Sequence, residues 1–250
     1  MLVVAALGPS ALSSADAGSL EARVGRIADA LAPIARNHTL VVTYAAGNDG
    51  FLASGLPGDL RAAHVAGILG HVIARELRNR LPALPVLPLL VQAVVHGDDA
   101  DASSARGGLA PCRIVEMPLL RRLAEADDRL LCVGCAPVCL DAGASYASID
   151  ASLDHDQVAA LLGVELGADI LLLLADVAAV YPEWPATATR LEQHDAECPI
   201  PSSLDAHIGG KLQAACRFAR TRGTFAVIGC ADEAQALVAG RAGTRVALAG

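Results

Sequence analysis

His155-Asp-Gln-Val-Ala-Ala-Leu-Leu-Gly-Val-Glu-Leu-Gly-Ala-Asp-Ile-Leu-Leu-Leu-Leu174 holds a helix, a stop and a strand in one run. His155 to Leu166 reads as a helix, and Gly167-Ala-Asp169 breaks it. Ile170–Leu174 then has no polar position at all. Successive side chains of a strand point to opposite faces. A strand that is apolar at every position must therefore be covered on both sides, as in a parallel sheet between two helical layers.

The same alternation extends in both directions and predicts βα units around a mostly parallel sheet. Upstream, residues 1–7 form a strand ended by Gly8-Pro9-Ser10, and Leu20–Ala35 carries Val24, Ile27, Ala28 and Leu31 at helical spacing. Leu40–Thr43 is a short strand, Leu60–Leu81 a helix and Val86–Val95 a strand, with Pro82 and Pro85 between the last two. Gly97–Pro111 is a polar loop without periodicity, a length that points to function or mobility. Val115–Ala126 reads as a helix and Leu130–Val133 as a strand. Downstream, the irregular Pro182–His207 precedes a helix at Lys211–Arg222. A strand at Phe225–Ile228, a helix at Asp232–Ala239 and a strand at Thr244–Leu248 close the chain.

The whole chain, 1–250, reads as one α/β unit without repeats or low-complexity linkers. Apolar residues make up 54% and aromatics only 3%, so the core must be built from Ala, Val and Leu. A net charge of −8 and the lack of any basic cluster argue against nucleic acid or an anionic membrane as partner. No apolar stretch reaches the ~20 residues of a membrane span. The apolar start lacks a basic segment before it and reads as a strand rather than a signal sequence. Seven cysteines, an odd number, suggest free thiols in a reducing cytosol, hence a cytoplasmic protein. The chain has eighteen arginines but one lysine, Lys211.

Several segments, in order, resemble carbamate kinases. They include Ala28–Thr43, Gly67-Ile-Leu-Gly70, Arg75-Glu-Leu-Arg-Asn79, Arg113-Ile-Val-Glu116 and Leu120-Arg-Arg-Leu123. Further on come Ala159-Ala-Leu-Leu162, Glu165–Leu173, Asp176-Val177 with Val180-Tyr181, Gly209-Gly-Lys211 and Gly243-Thr-Arg-Val246. The resemblance spans nearly the whole chain. It implies an amino-acid-kinase fold, a three-layer αβα sandwich, whose N-terminal half (about 1–144) faces a small acid. The half from about 145 to 250 would hold the nucleotide. It further implies Mg²⁺-dependent, reversible phosphoryl transfer between ATP and carbamate, yielding ADP and carbamoyl phosphate, in a homodimer built through helices near 60–80 and 115–126.

Phosphoryl transfer between two anions calls for cations and for backbone N–H groups aimed at phosphate oxygens. Lys211 falls where the family keeps a phosphate-contacting lysine and is expected to open a helix behind Gly209. Gly8 and Ser10 match the family's first phosphate loop, although Pro9 removes one backbone donor there. Gly47 is the glycine kept in the loop after the second strand, and Gly134 the one kept in a later glycine run. The family's Asp-Lys-Asp corresponds to Asp154-His155-Asp156, which exchanges a permanent cation for a titratable one. His155 beside two carboxylates is expected to be partly protonated near pH 7, with Asp156 orienting it. The other reading is that Asp154 and Asp156 cap the helix. Asp176 and Tyr181 match the family's nucleotide loop. Catalytic candidates are thus Lys211, His155 and Asp156. Candidates for holding ATP or ADP are Gly8, Ser10, Gly47, Gly134, Asp176, Tyr181 and Gly209.

Cys132, Cys135 and Cys139 have C-x2-C-x3-C spacing, but no second pair accompanies them, so they read as structural and no metal site is assigned. Because the departures from the family cluster at phosphate loops, a second function stays open. The chain would then be a weakly active or silent relative that serves as a nucleotide-binding or partner subunit.

Overall fold

The computed structural model describes residues 1–12, 19–44, 58–96, 113–125, 130–140, 146–148, 154–183 and 189–249. Gly47 and the loop Gly97–Pro111 lie outside the described residues. In chain order the elements are β1 (Leu2–Leu7), α1 (Pro9–Leu12), α2 (Leu20–Asn37), β2 (Thr39–Tyr44), α3 (Gly58–Arg80), β3 (Val86–His96) and β4 (Arg113–Ile114). Then follow α4 (Met117–Ala124), β5 (Leu130–Leu140), β6 (Tyr146–Ser148), α5 (His155–Leu166), β7 (Ile170–Ala175) and β8 (Gln193–Asp195). The chain continues with α6 (Ala206–Arg222), β9 (Phe225–Cys230), a 3₁₀ turn (Ala231–Glu233), α7 (Ala234–Val238) and β10 (Thr244–Ala247).

The strands form one sheet in the order β4-β3-β5-β2-β1-β7-β9-β10-β8, with β6 on β5. From β3 to β9 every neighbouring pair is parallel; the antiparallel pairs are β3–β4, β5–β6 and β9–β10. Two cores lie on opposite faces. One gathers Val3, Ala5, Leu7, Leu40, Val42 and Tyr44 under α2, α3 and α7. The other gathers Val4, Ala6, Val41, Leu171 and Leu173 under α4, α5 and α6. The expected three-layer αβα sandwich is present, and the all-apolar strand β7 is buried at each position.

The short β4, β6, β8 and α1 were not expected, β8 lying inside the stretch 182–207 read as irregular, and three boundaries shift notably. β5 runs on to Leu140, because it pairs residue for residue with the long strand β3. The expected helix 232–239 splits into the 3₁₀ turn and the short α7. Helix α6 starts at Ala206, not at Lys211: the Asp205 carboxylate accepts from the N–H groups of His207 and Ile208 at 2.8 and 2.9 Å and caps the helix there. Gly209 and Gly210, which in sequence suggest a break, are carried inside that helix.

Cys132 faces one core and Cys135 the other, as residues three apart on a strand must. The Cys132 and Cys135 side chains therefore diverge; that of Cys139 lies outside the described ones. No described helix is long and apolar enough to cross a membrane.

Candidate functional site

Helices α5 and α6 start at the same end of the sheet, beyond the C-terminal ends of the parallel strands, where open α/β sheets bind ligands. Their separation is set lower down. A Cβ on Gly163 would lie 3.0 Å from the Phe218 ring, so any larger residue would push the two helices apart by at least a few tenths of an ångström. Two turns toward the N-termini, about 10.5 Å along each axis, the same faces present Asp156 and Lys211. Lys211 Nζ donates to both oxygens of Asp156, at 2.9 and 3.1 Å. The lysine is 0% exposed and the aspartate 6%.

The amine also closes over the end of β1. A Cβ on Gly8 would sit 2.9 Å from Lys211 Nζ and 3.5 Å from the carbonyl of Leu174. Gly8 is thus required for the amine's position, not only for chain flexibility. Its N–H donates to Leu174 O at 3.3 Å, and its carbonyl accepts from Ala11 N at 3.1 Å, folding α1 back at once. Arg23, itself buried, secures α1 from behind. Its Nε donates to Ala11 O at 2.7 Å while its guanidinium binds both oxygens of Asp232.

Asp154 caps α5 through Oδ1, accepting from Asp156 N and Gln157 N at 3.0 and 3.3 Å. Its Oδ2 faces Gly210 across the gap, 3.4 Å from where a Cβ would stand. Burial, and then the charge of Asp156, raise the Asp154 pKa. His155 is buried in the first turn of α5. Desolvation pulls its pKa down to about 4, outweighing the neighbouring carboxylate. The expected partial charge near neutral pH is therefore wrong, and the imidazole is neutral. Nor does Asp156 orient His155, since both its oxygens face Lys211. Of the two sequence readings, capping holds for Asp154 alone; the pairing of Asp156 with Lys211 belongs to neither.

Among the described residues, three buried polar atoms in this region have no partner: Ser10 Oγ, His155 Nε2 and Thr43 Oγ1. The first two belong to predicted site residues. Thr43 was not predicted, since a threonine within Leu40–Thr43 reads only as a good strand former. Gly134 has a task of its own. A Cβ there would lie 2.8 Å from the Tyr44 hydroxyl, and one on Gly70 would lie 2.1 Å from it. The two glycines leave room for the Tyr44 ring, and burial raises the pKa of its phenol.

A second feature adjoins. A cleft of about 460 Å³ is lined by Val177, Ala178, Tyr181, Leu204, Asp205 and Ile208. Its wall is pinned by Thr244, whose hydroxyl accepts from Val180 N at 2.9 Å and donates to Leu191 O at 2.5 Å. Asp176, exposed, immediately precedes the lining run, and Gly209 follows Ile208 with nothing within 4 Å of its Cβ position. The structure thus joins Lys211, Asp156 and Gly8 in direct contact, with His155 beside the pair. It sets Tyr181 in the cleft at the start of α6. No grouping of three or more His, Cys, Asp or Glu that could cage a metal occurs among the described residues.

The sequence model of the amino acid kinase family matches residues 1–229. The carbamate kinase of Rhizobium meliloti is 29% identical, over 98% of this chain and 92% of that one. That of Escherichia coli O157:H7 is also 29% identical, over 99% of each. The latter alignment runs over 295 positions against the 250 residues here, so the relative has at least 45 (295 − 250) that this chain lacks. Among solved structures, carbamate kinase from Giardia lamblia bound to AMP-PNP superposes with a TM-score of 0.85 at 20% identity, covering 99% of this chain and 98% of that one. A protein from Aeropyrum pernix K1 gives 0.82 at 22% identity over the full length of both. Likeness at these identities speaks for the fold.

Proposed function

The chain belongs to the amino acid kinase family, and from that premise we propose that it transfers a phosphoryl group reversibly between ATP and carbamate, giving ADP and carbamoyl phosphate. The observation that carries this reading is the sole lysine of the chain. It is buried, fixed by Asp156 and laid over Gly8 at the end of β1. A buried ion pair is often no more stabilising than apolar residues in its place, so keeping one here supports a use for the amine beyond packing.

In the forward direction a carbamate oxygen attacks the γ-phosphorus. The bond to the β–γ bridging oxygen breaks and ADP leaves with its electron pair. Lys211 neutralises charge on the moving phosphoryl, and Asp156 fixes the amine so that no reorganisation is needed as that charge develops. Gly8 lets the phosphoryl approach the backbone, with the Ser10 hydroxyl as a donor beside it; Gly47 and Gly134 complete the proposed set. His155 supplies a hydrogen bond rather than a charge. The cleft beside Tyr181 takes the nucleotide, with Asp176 and Gly209 next in sequence to residues that line it. Mg²⁺ would be held on the nucleotide's phosphates, as is usual in kinase sites, and would supply charge neutralisation there.

A homodimer and a cytoplasmic location belong to the same proposal. Leu90 on β3, Val115 just after β4 and Leu119 on α4 are exposed apolar side chains, and such exposure suits contact with a second copy. Sedimentation at micromolar concentration tests that part. The decisive experiment is ATP formation from ADP, Mg²⁺ and carbamoyl phosphate. Rates no higher than those of the Lys211→Ala variant would refute the proposed reaction.

A further inference from the structure

Thr43 is fully buried and its hydroxyl has no hydrogen-bond partner among the described residues. Burying a hydroxyl unpaired is unfavourable, and valine would fill the same space without that penalty. Its position gives the hydroxyl a use. The strand register pairs Thr43 with Ala6 and Tyr44 with Leu7. Alternation puts Ala6 and Thr43 on the face covered by α5 and α6. Gly8, two residues beyond Ala6 and just past the end of β1, is the position over which the Lys211 amine lies. Adjacent strands are ~4.8 Å apart, and same-face residues along a strand ~6.6 Å. The hydroxyl is therefore about one small molecule away from the amine, within the same layer.

We propose that Thr43 determines specificity for the acceptor: its hydroxyl accepts a hydrogen bond from the amino group of the carbamoyl unit. This rests on the phosphoryl transfer to carbamate proposed above. With the phosphoryl held at Lys211 and Gly8, the carbamoyl carbon carries its amino group away from the phosphorus. A group that can pair with an N–H is needed at that end. Acetyl phosphate has the same shape with a methyl in place of the amino group, so it leaves the Thr43 hydroxyl unpaired. Sites built to pair with a substrate N–H reject analogues that lack it.

The test compares ATP formation from carbamoyl phosphate and from acetyl phosphate in wild type, Thr43→Val and Thr43→Ser. Wild type should prefer carbamoyl phosphate by ~10- to 100-fold in kcat/KM. Thr43→Val should lower that ratio ~10-fold or more, with acetyl phosphate turnover little changed, while Thr43→Ser keeps it. The ratio is read on folded enzyme only, so partial misfolding cancels. The Tm of Thr43→Val should equal or exceed that of wild type. An unchanged ratio in Thr43→Val, or a parallel loss on both substrates, overturns the role of Thr43 alone. No ATP from either substrate with wild type overturns the phosphotransfer reading, and this role with it.

Discussion

Removing the Asp156 carboxylate, by Asp156→Ala, leaves the Lys211 ammonium without a counter-ion at a place where it is 0% exposed. Breaking a buried pair in this way typically costs about 3–5 kcal/mol, because the remaining charge keeps its desolvation penalty and loses its compensation. For a chain of this length 1 kcal/mol corresponds to roughly 2–4 °C in Tm, so the expected drop is roughly 6–20 °C. Lys211→Met should cost a similar amount by stranding the Asp156 carboxylate. The double variant Lys211→Met/Asp156→Leu removes both charges and should recover most of the stability, while remaining inactive in ATP formation. Thermal unfolding of wild type, Asp156→Leu, Lys211→Met and the double variant closes a cycle and gives the coupling between the residues directly. A drop of less than ~2 °C for Asp156→Ala, or a double variant no more stable than the singles, would show that the amine is not sealed from water. The argument for an anion-receiving cation would then fail.

Gly70→Ala forces a Cβ to within 2.1 Å of the Tyr44 hydroxyl. It should destabilise by about 1–3 kcal/mol through overpacking, with Tyr44→Phe recovering much of the loss in a melting experiment. His155, whose pKa falls from 6.5 to about 4 on folding, is neutral when folded and charged when unfolded between those values. Stability should therefore decline as pH falls through that window, by up to ~1.4 kcal/mol per unit, and level off below about pH 4. Asp154, whose pKa is raised, contributes with the opposite sign, so the His155 part is isolated as the difference between wild type and His155→Leu. Thr244→Val removes the hydroxyl that holds Val180 and Leu191. A loss of about 1–3 kcal/mol and weaker ADP binding by calorimetry are expected; unchanged binding would separate the cleft from the nucleotide.

The fold was legible because its signals are local. The apolar run Ile170–Leu174 needs no partner to declare that both faces are covered, and Gly167 ends its helix at φ 75°. Lys211 stood out through scarcity, and Asp154-His155-Asp156 through its place before a helix. What escaped depends on neighbours distant in sequence. Burial sets the charge of His155, and burial of a helix start cannot be read from charges alone. The early start of α6 hinges on Asp205, outcompeted in a linear reading by Gly209-Gly210, which look like a break. Thr43 is invisible because a β-branched hydroxyl residue is ordinary in any strand; only the register with Ala6 and Gly8 gives it meaning. Gly70 and Gly134 close on one phenol from elements more than sixty positions apart.

One lysine, wholly covered, also sets how this protein responds to amine-directed chemistry. Acylating reagents should modify the α-amino group of the intact molecule and spare the side chain until the α5–α6 junction parts. Pulse labelling read by intact mass would then count openings of that junction one event at a time, with no engineered probe.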